Sequence, residues 1–110
     1  MVASVRVEKS WGYEEIIHNG DYCCKKLVYA KEIASSLHYH PIKHETFVVR
    51  SGRFSVELPD GKIFMNEGDF VVIPPNTTHR VRCLTNFGEI IESSTHDDPL
   101  DCVRLIPSET

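Results

Sequence analysis

Short apolar runs, separated by residues that favour turns, are the feature of this sequence that most restricts its fold. Asn19-Gly20, Ser51-Gly52, Pro59-Asp60-Gly61 and Pro74-Pro75 each end such a run. The runs with strand character are 13–17, 22–30, 45–50, 53–58, 62–65, 70–73, 79–84, 89–92 and 102–106. Helical periodicity is nearly absent, and one helical turn is expected, at 97–100. The pattern predicts an all-β fold.

Strands this short and this regularly spaced are typical of a β-sandwich or a small barrel. An open sheet of such strands would leave long edges unpaired, so closure into a jelly-roll β-barrel is the economical arrangement. The chain has 110 residues, which fits a single domain spanning 1–110. The interior of such a barrel holds side chains and one small ligand.

Charge and hydropathy exclude several classes of protein. The formal net charge is −4, and no basic patch is visible, which argues against nucleic-acid binding. No apolar run is long enough to cross a bilayer, and the first ten residues do not resemble a signal peptide. We therefore expect a cytoplasmic protein without a membrane partner. The four cysteines form no CxxC pair and are expected to be reduced and structural.

Histidines crowd one part of the chain. His38, His40 and His44 lie within seven residues, and Glu45 follows them directly. Residues two apart on a strand share a face, so His38 and His40 can point the same way. His79 opens a later strand with alternating apolar residues and can face inward too. Three imidazoles and one carboxylate in a β interior favour a divalent transition metal, with zinc, manganese, iron and nickel all open.

The sequence resembles the cupin superfamily through two motifs. The first, of the form HxHx4Ex6G, is matched in full from His38 to Gly52. The second, of the form Gx5PxGx2H, runs from Gly68 to His79 and departs from it at Asn76, where glycine is usual. Asparagine tolerates a left-handed backbone better than most residues, so this departure is mild. The resemblance implies a single-domain cupin-type jelly-roll β-barrel.

The same resemblance implies which residues bind the metal. They are His38, His40, Glu45 and His79, all within about residues 35–85.

A narrower resemblance is to the C-terminal domain of type II mannose-6-phosphate isomerases. It rests on Trp11-Gly12-Tyr13-Glu14, on Ser35-Ser36-Leu37 before the first motif, and on Asp97-Asp98 with Val103-Arg104-Leu105. Two positions depart from that family, which commonly has Gln where His38 stands and His where Thr46 stands. The resemblance implies a metal-dependent isomerase or epimerase of a sugar or sugar phosphate.

Several further residues are candidates for the working site. For a catalytic base, the candidates are Glu92 and His44. Substrate contacts are assigned to Arg104, Tyr39 and Lys26, although Tyr39 is expected on the face opposite the histidines. Arg104 is suited to a phosphate or carboxylate because its guanidinium offers a two-pronged donor.

Two other functions stay open at this point. The same ligand set suits a mononuclear iron or copper oxygenase, and a barrel of this size also suits a non-catalytic sugar-binding module. Exposed sheet edges favour a homodimer, because two-fold pairs are the commonest oligomers.

Overall fold

A computed structural model describes residues 4–110, and in that range every regular element is a strand. The strands are β1 (Val5–Lys9), β2 (Gly12–Asn19), β3 (Tyr22–Tyr29), β4 (Leu37–Tyr39), β5 (Glu45–Ser51), β6 (Phe54–Leu58), β7 (Gly61–Met65), β8 (Phe70–Ile73), β9 (Arg80–Cys83), β10 (Gly88–Thr95) and β11 (Val103–Ile106). None of the described residues belongs to a helix long and apolar enough to span a bilayer. The expectation of an all-β fold is confirmed.

The strands form three antiparallel sheets. The largest has the order β1-β2-β3-β10-β5-β8, the second has the order β7-β6-β9, and β11 pairs with β4 alone. Most neighbours in space are distant in sequence, as expected of a jelly-roll β-barrel. The predicted runs agree with the observed strands to within a few residues, but β1 and β4 were not among them.

Alternation along the strands determines which side chains enter the barrel. In β5, Glu45, Phe47 and Val49 are buried, whereas Val48 and Arg50 are exposed. The buried apolar residues form one cluster between the sheets: Trp11, Leu27, Tyr29, Ile33, Phe47, Val49, Phe54, Val56, Met65, Ile73, Val81, Cys83 and Ile90. Several of these core residues, among them Trp11, Leu27 and Phe47, also line a partly polar cavity.

The two motif turns have the backbone that their residues suggest. Asn76 has φ of 61°, the left-handed conformation for which glycine is usual. Its N–H donates to the carbonyl of His40 at 2.8 Å, so this turn is tied to the histidine strand. Gly52 has φ of 80°, and a Cβ there would lie 2.7 Å from the carbonyl oxygen of Phe87. A side chain is therefore excluded at this turn.

The prediction of a helical turn at 97–100 is wrong. The backbone there makes a non-helical turn, closed by the N–H of Asp101 donating to the carbonyl of Asp98 at 2.9 Å. Asp97 is tied to the sheet instead, because Asn19 accepts from its N–H and donates to its carbonyl, both at 2.9 Å. The segment between β10 and β11 is thereby held over the barrel as an extended wall.

Candidate metal centre

A cavity of about 430 Å³ opens in the barrel. Its lining includes His38, His40, Glu45 and His79, together with apolar core residues such as Trp11 and Phe47. Charged residues also line it: Glu14, Lys25, Lys43, Glu92 and Asp97. A space of this size accommodates a small polar molecule beside the histidines.

The three histidines come together from two strands that pair at one point. His38 and His79 form an antiparallel bridge, in which the N–H of each donates to the carbonyl of the other at 3.1 and 2.9 Å. His40 lies two residues after His38, on the same face. One potential ligand atom from each ring lies within 4.8 Å of the others. The structure thus brings these sequence-predicted residues together.

The backbone fixes the orientation of all three imidazoles. The Nδ1 atoms lie 3.0 Å from the carbonyl oxygen of Ser36 for His38, 2.7 Å from that of Asp101 for His40, and 2.9 Å from that of Thr77 for His79. A carbonyl only accepts, so each Nδ1 carries the proton and each Nε2 keeps its lone pair. This is the arrangement that prepares imidazoles for metal binding.

Burial also favours the neutral form of His38 and His40 by lowering the pKa of each ring. Burial lowers the pKa of His38 to about 3, and the proximity of His79 and His40 contributes because a positive charge on one ring disfavours a second. Burial and then the charge of Lys43 lower the pKa of His40. Neutral imidazole is the form that binds a metal ion.

Glu45 completes the group, and its Oε2 atom lacks a partner. This oxygen lies 3.2 Å from Nε2 of His79 and 3.5 Å from Nε2 of His40. Among the described residues, Oε2 of Glu45 and Nε2 of His79 are buried polar atoms without a hydrogen bond. Two lone-pair atoms that face each other need a cation or a proton between them. The donor set of nitrogens and one oxygen therefore fits a divalent transition metal.

The charge beside Glu45 keeps this carboxylate ionised. Burial by itself raises its pKa, but the neighbouring His79 and the positive charge of Lys43 outweigh burial and lower the pKa. Glu45 is therefore an anion at neutral pH, as a metal ligand must be.

Two buried lysines beside the histidines were not among the sequence-predicted site residues. Lys43 Nζ lies 3.3 Å from Oε1 of Glu45, 3.1 Å from Oε2 of Glu92 and 2.9 Å from Oδ1 of Asp97. Lys25 Nζ lies 2.9 Å from Oδ2 of Asp97 and 3.1 Å from Oε1 of Glu14. The charges of their partners outweigh burial and raise the pKa of both lysines.

These side chains form one continuous group of ion pairs, which we call the charge cluster: Glu14, Lys25, Lys43, Glu45, Glu92 and Asp97. Four of them are buried, and Glu14 and Asp97 are half-buried. With every group ionised it carries two positive and four negative charges. Burial, and then the charge of Glu45, raise the pKa of Glu92. A divalent cation at the histidines would balance the excess negative charge.

The remaining candidates lie in different places. Glu92 is buried in the cavity wall, and Arg104 lines the mouth of the cavity with an exposed side chain. Tyr39 alternates with the histidines and is not among the cavity-lining residues. Lys26 lies outside the cavity and pairs with Glu15 at 3.4 Å.

His44 is exposed and lies outside the cavity, and its backbone N–H donates to Oγ1 of Thr95 at 3.1 Å. Of the two candidates for a base, Glu92 is therefore the one that the structure places near the histidines.

Asp101 holds the histidine loop in place. Its Oδ1 and Oδ2 accept from the backbone N–H groups of Ile42 and Lys43, both at 2.8 Å. Its own carbonyl accepts from His40. One residue thus fixes both the ring of His40 and the backbone that leads to Glu45.

These observations define a jelly-roll β-barrel whose cavity carries a candidate metal centre of three imidazoles and a carboxylate. The chain belongs to the family of cupin domains: the family model described as "Cupin domain" matches residues 27–89. No curated protein sequence matches it significantly.

Several solved structures share the fold. CapF from Staphylococcus aureus, a capsular polysaccharide assembling protein, is 18% identical with a TM-score of 0.83, and the match covers 96% of this chain and 32% of CapF. KdgF from Halomonas sp. is 22% identical with a TM-score of 0.73, covering 79% of this chain and 80% of KdgF. A Streptomyces PAC13 variant with uridine is 17% identical with a TM-score of 0.78, covering 94% and 84%.

The chain thus spans about a third of the length of CapF. At these identities, the likeness is one of fold.

Proposed function

We propose that this cupin is a metal-dependent isomerase or epimerase that acts on a sugar or sugar phosphate. Its metal ligands are His38, His40, Glu45 and His79. One observation carries the proposal: the unpartnered Oε2 of Glu45 lies 3.2 Å from the unpartnered Nε2 of His79, and both residues line the cavity. A bound divalent metal supplies Lewis-acid stabilisation of the negative charge that develops on a sugar carbonyl.

The chain's own groups would handle the proton. Glu92 is buried in the cavity wall and accepts from Lys43 and Ser94 through Oε2, at 3.1 and 3.2 Å. Its Oε1 receives no hydrogen bond from the described side chains. A carboxylate held in this way is suited to take a proton from one carbon of the substrate and return it to the neighbouring carbon. Glu92 is therefore our choice of catalytic base.

Arg104 would bind the charged end of a phosphorylated sugar. It lines the mouth of the cavity and forms no ion pair with a described residue, whereas Lys9, also at the mouth, lies 3.8 Å from a carboxylate oxygen of Glu14. Inside the cavity, the lysines are already paired with acids. A phosphate is thus accommodated at the mouth, and hydroxyl groups are accommodated inside.

Two further observations support a carbohydrate substrate. The N-terminal and C-terminal segments resemble type II mannose-6-phosphate isomerases, as described above. CapF is a capsular polysaccharide assembling protein, and PAC13 has been solved with uridine, a nucleoside that contains a sugar.

The test is an isomerisation assay with defined metal content. The protein is stripped of metal, reloaded with zinc, manganese, iron or nickel, and incubated with a panel of aldoses, ketoses and their phosphates. We expect metal-dependent interconversion, with exchange of the carbon-bound proton for deuterium in D2O. The Glu92→Gln variant should bind metal but lose this exchange, and Glu67→Gln, at an exposed position outside the cavity, is the matched control.

Other outcomes of the same assay would contradict the proposal. Oxygen consumption by iron-loaded or copper-loaded protein, without isomerisation, would favour an oxygenase. Thermal stabilisation by a sugar without any turnover would favour a non-catalytic sugar-binding module.

We also propose that the protein is cytoplasmic and forms a homodimer. Val48 and Phe70 are paired across β5 and β8, and Val72 follows on the same face; all three are exposed. An apolar patch of this kind favours self-association. Sedimentation analysis tests the dimer, and a monomer at micromolar concentration would contradict it.

A further inference from the structure

The two oxygens of Glu45 have different surroundings. Oε2 faces the imidazoles of His40 and His79 and has no hydrogen bond within the described chain. Oε1 points the other way and lies 3.3 Å from Nζ of Lys43. One oxygen of this carboxylate thus faces the proposed metal site, and the other faces the ammonium group of Lys43.

Lys43 also contacts one oxygen of each of two other carboxylates, Oε2 of Glu92 and Oδ1 of Asp97. The second oxygen of Asp97, Oδ2, contacts Lys25. An ammonium group has three N–H donors, and two of them form hydrogen bonds with Oε2 of Glu92 and Oδ1 of Asp97, at 3.1 and 2.9 Å. The same group is in ion-pair contact with Oε1 of Glu45 at 3.3 Å, so moving it away would break all three contacts.

Both the backbone and the side chain of Lys43 are held in place. Its backbone N–H donates to Oδ2 of Asp101 at 2.8 Å, and its side chain is only 4% exposed. Because it lies two residues before Glu45, the two side chains enter the cavity on the same face. The lysine is therefore held beside Glu45 and does not reach solvent.

We propose that Lys43 is a positioning residue that makes Glu45 a one-oxygen metal ligand. This inference rests on the proposed metal centre and goes beyond it. By holding Oε1, the ammonium group prevents the carboxylate from turning both oxygens toward the ion. A carboxylate that binds through one oxygen occupies one coordination position in place of two. The freed position is then open to a substrate oxygen, as a catalytic site requires.

The test compares two buried lysines of the same charge cluster. Lys43→Met removes the group that contacts Glu45, whereas Lys25→Met removes an equally buried lysine that contacts Asp97 and Glu14 but not Glu45. Both variants and the wild type are loaded with Co²⁺, and coordination is measured by X-ray absorption and by the visible spectrum of the ion.

We expect the wild type and Lys25→Met to give the same spectrum. Lys43→Met should gain one oxygen at the ion, and its visible absorption should lose intensity, because a higher coordination number weakens these bands. An unchanged ion in Lys43→Met, or the same change in both variants, would overturn the role of Lys43.

Lys43→Met removes one partner from each of two buried carboxylates, Glu45 and Glu92, and from the half-buried Asp97, and this variant is prone to misfold. The double variant Lys43→Met with Glu92→Gln removes one positive and one negative charge, so the cluster keeps its net charge. It should fold and show the same additional oxygen. If it folds with an unchanged ion, the inference is wrong.

The inference and the proposed metal centre fail in different ways. Wild-type protein that binds no Co²⁺ contradicts the metal centre, and the role of Lys43 falls with it. Wild-type protein that binds Co²⁺ through both oxygens of Glu45 contradicts the role of Lys43 alone.

Discussion

Arg104 lies directly opposite His38 in the antiparallel pair of β11 and β4. Opposite residues of an antiparallel pair place their side chains on the same face, and both residues line the cavity. The guanidinium of Arg104 and the imidazole of His38 therefore lie side by side on one short two-stranded sheet that lines the cavity. A substrate bound beside His38 would lie within reach of Arg104.

Replacing Arg104 with Gln should raise KM for phosphorylated substrates more than KM for unphosphorylated ones. Loss of a charge-assisted hydrogen bond removes about 1.5–3 kcal/mol, which corresponds to roughly a 10- to 100-fold increase in KM for a sugar phosphate. KM for the corresponding free sugar should change little. The control is Arg53→Gln, at an exposed arginine outside the cavity. Equal effects of Arg104→Gln on both substrates would show that it does not bind the phosphate.

Metal removal should lower the thermal stability of the wild type. An ion at 100 times its Kd contributes about 2.7 kcal/mol to the folded state, or roughly 10 °C in Tm for a chain of this size. Chelation followed by reloading with zinc or manganese is monitored by calorimetry. His38→Gln should lose this metal-dependent shift.

His44→Gln is the matched control for that experiment, because His44 is a neighbouring histidine with an exposed side chain. It should keep the full shift. A shift that persists in His38→Gln would place the ion elsewhere.

Asp97 should make the stability depend on acidic pH. Burial opposes its ionisation, but the charges of Lys43 and Lys25 outweigh burial and lower the pKa of Asp97 from 3.8 to about 2. A carboxyl whose folded pKa is depressed stabilises the fold fully above its unfolded pKa, and this contribution is lost as the pH falls toward the folded pKa. We therefore expect a loss of roughly 2 kcal/mol as the pH falls from 4 to 2.

Urea unfolding of Asp97→Asn across this pH range is the measurement. The variant should be less stable than the wild type at pH 6, and the two should converge at pH 2. Asp98→Asn, one residue along the same wall, is the control: its carboxylate accepts from the N–H of Leu100, and among the described residues neither Lys25 nor Lys43 contacts it. This substitution should not reproduce the change seen in Asp97→Asn. A constant difference between Asp97→Asn and the wild type would contradict the expected pKa.

Asp101→Ala should destabilise the fold through the histidine loop. The substitution leaves the buried N–H of Lys43 without its acceptor, at a cost of about 1–3 kcal/mol. Asp101→Asn keeps one carbonyl oxygen and should lose less. Urea unfolding of the two metal-free variants tests this order, and equal stability of Asp101→Ala and the wild type would contradict it.

The sequence alone predicted the all-β fold, and it predicted that His38, His40, Glu45 and His79 lie close together. Period-two alternation and turn residues are local signals, and they predicted most strands to within a few residues. β1 was not among the predicted runs, because its charged residues Arg6, Glu8 and Lys9 dilute the apolar pattern.

The buried residues Lys25 and Lys43 were not predicted from the sequence as part of the site. Alternation places Lys43 on the face of Glu45 and Phe47, and Lys25 on the face of Leu27, so the signal was present. A buried lysine is costly unless it is paired, and its partner Asp97 follows Lys25 by more than 70 residues. Such pairing depends on topology and cannot be inferred from local pattern.

The wall between β10 and β11 has a consequence for engineering the pocket. Asp97 and Asp101 anchor it at both ends, the first to the lysines and the second to the backbone beside Glu45. Between these anchors, Asp98 and Pro99 line the cavity, and Leu100 is 91% exposed. A mutant library aimed at new specificities should vary these three positions and retain both anchors, whereas grafting a whole foreign loop would remove the supports of the site together with its wall.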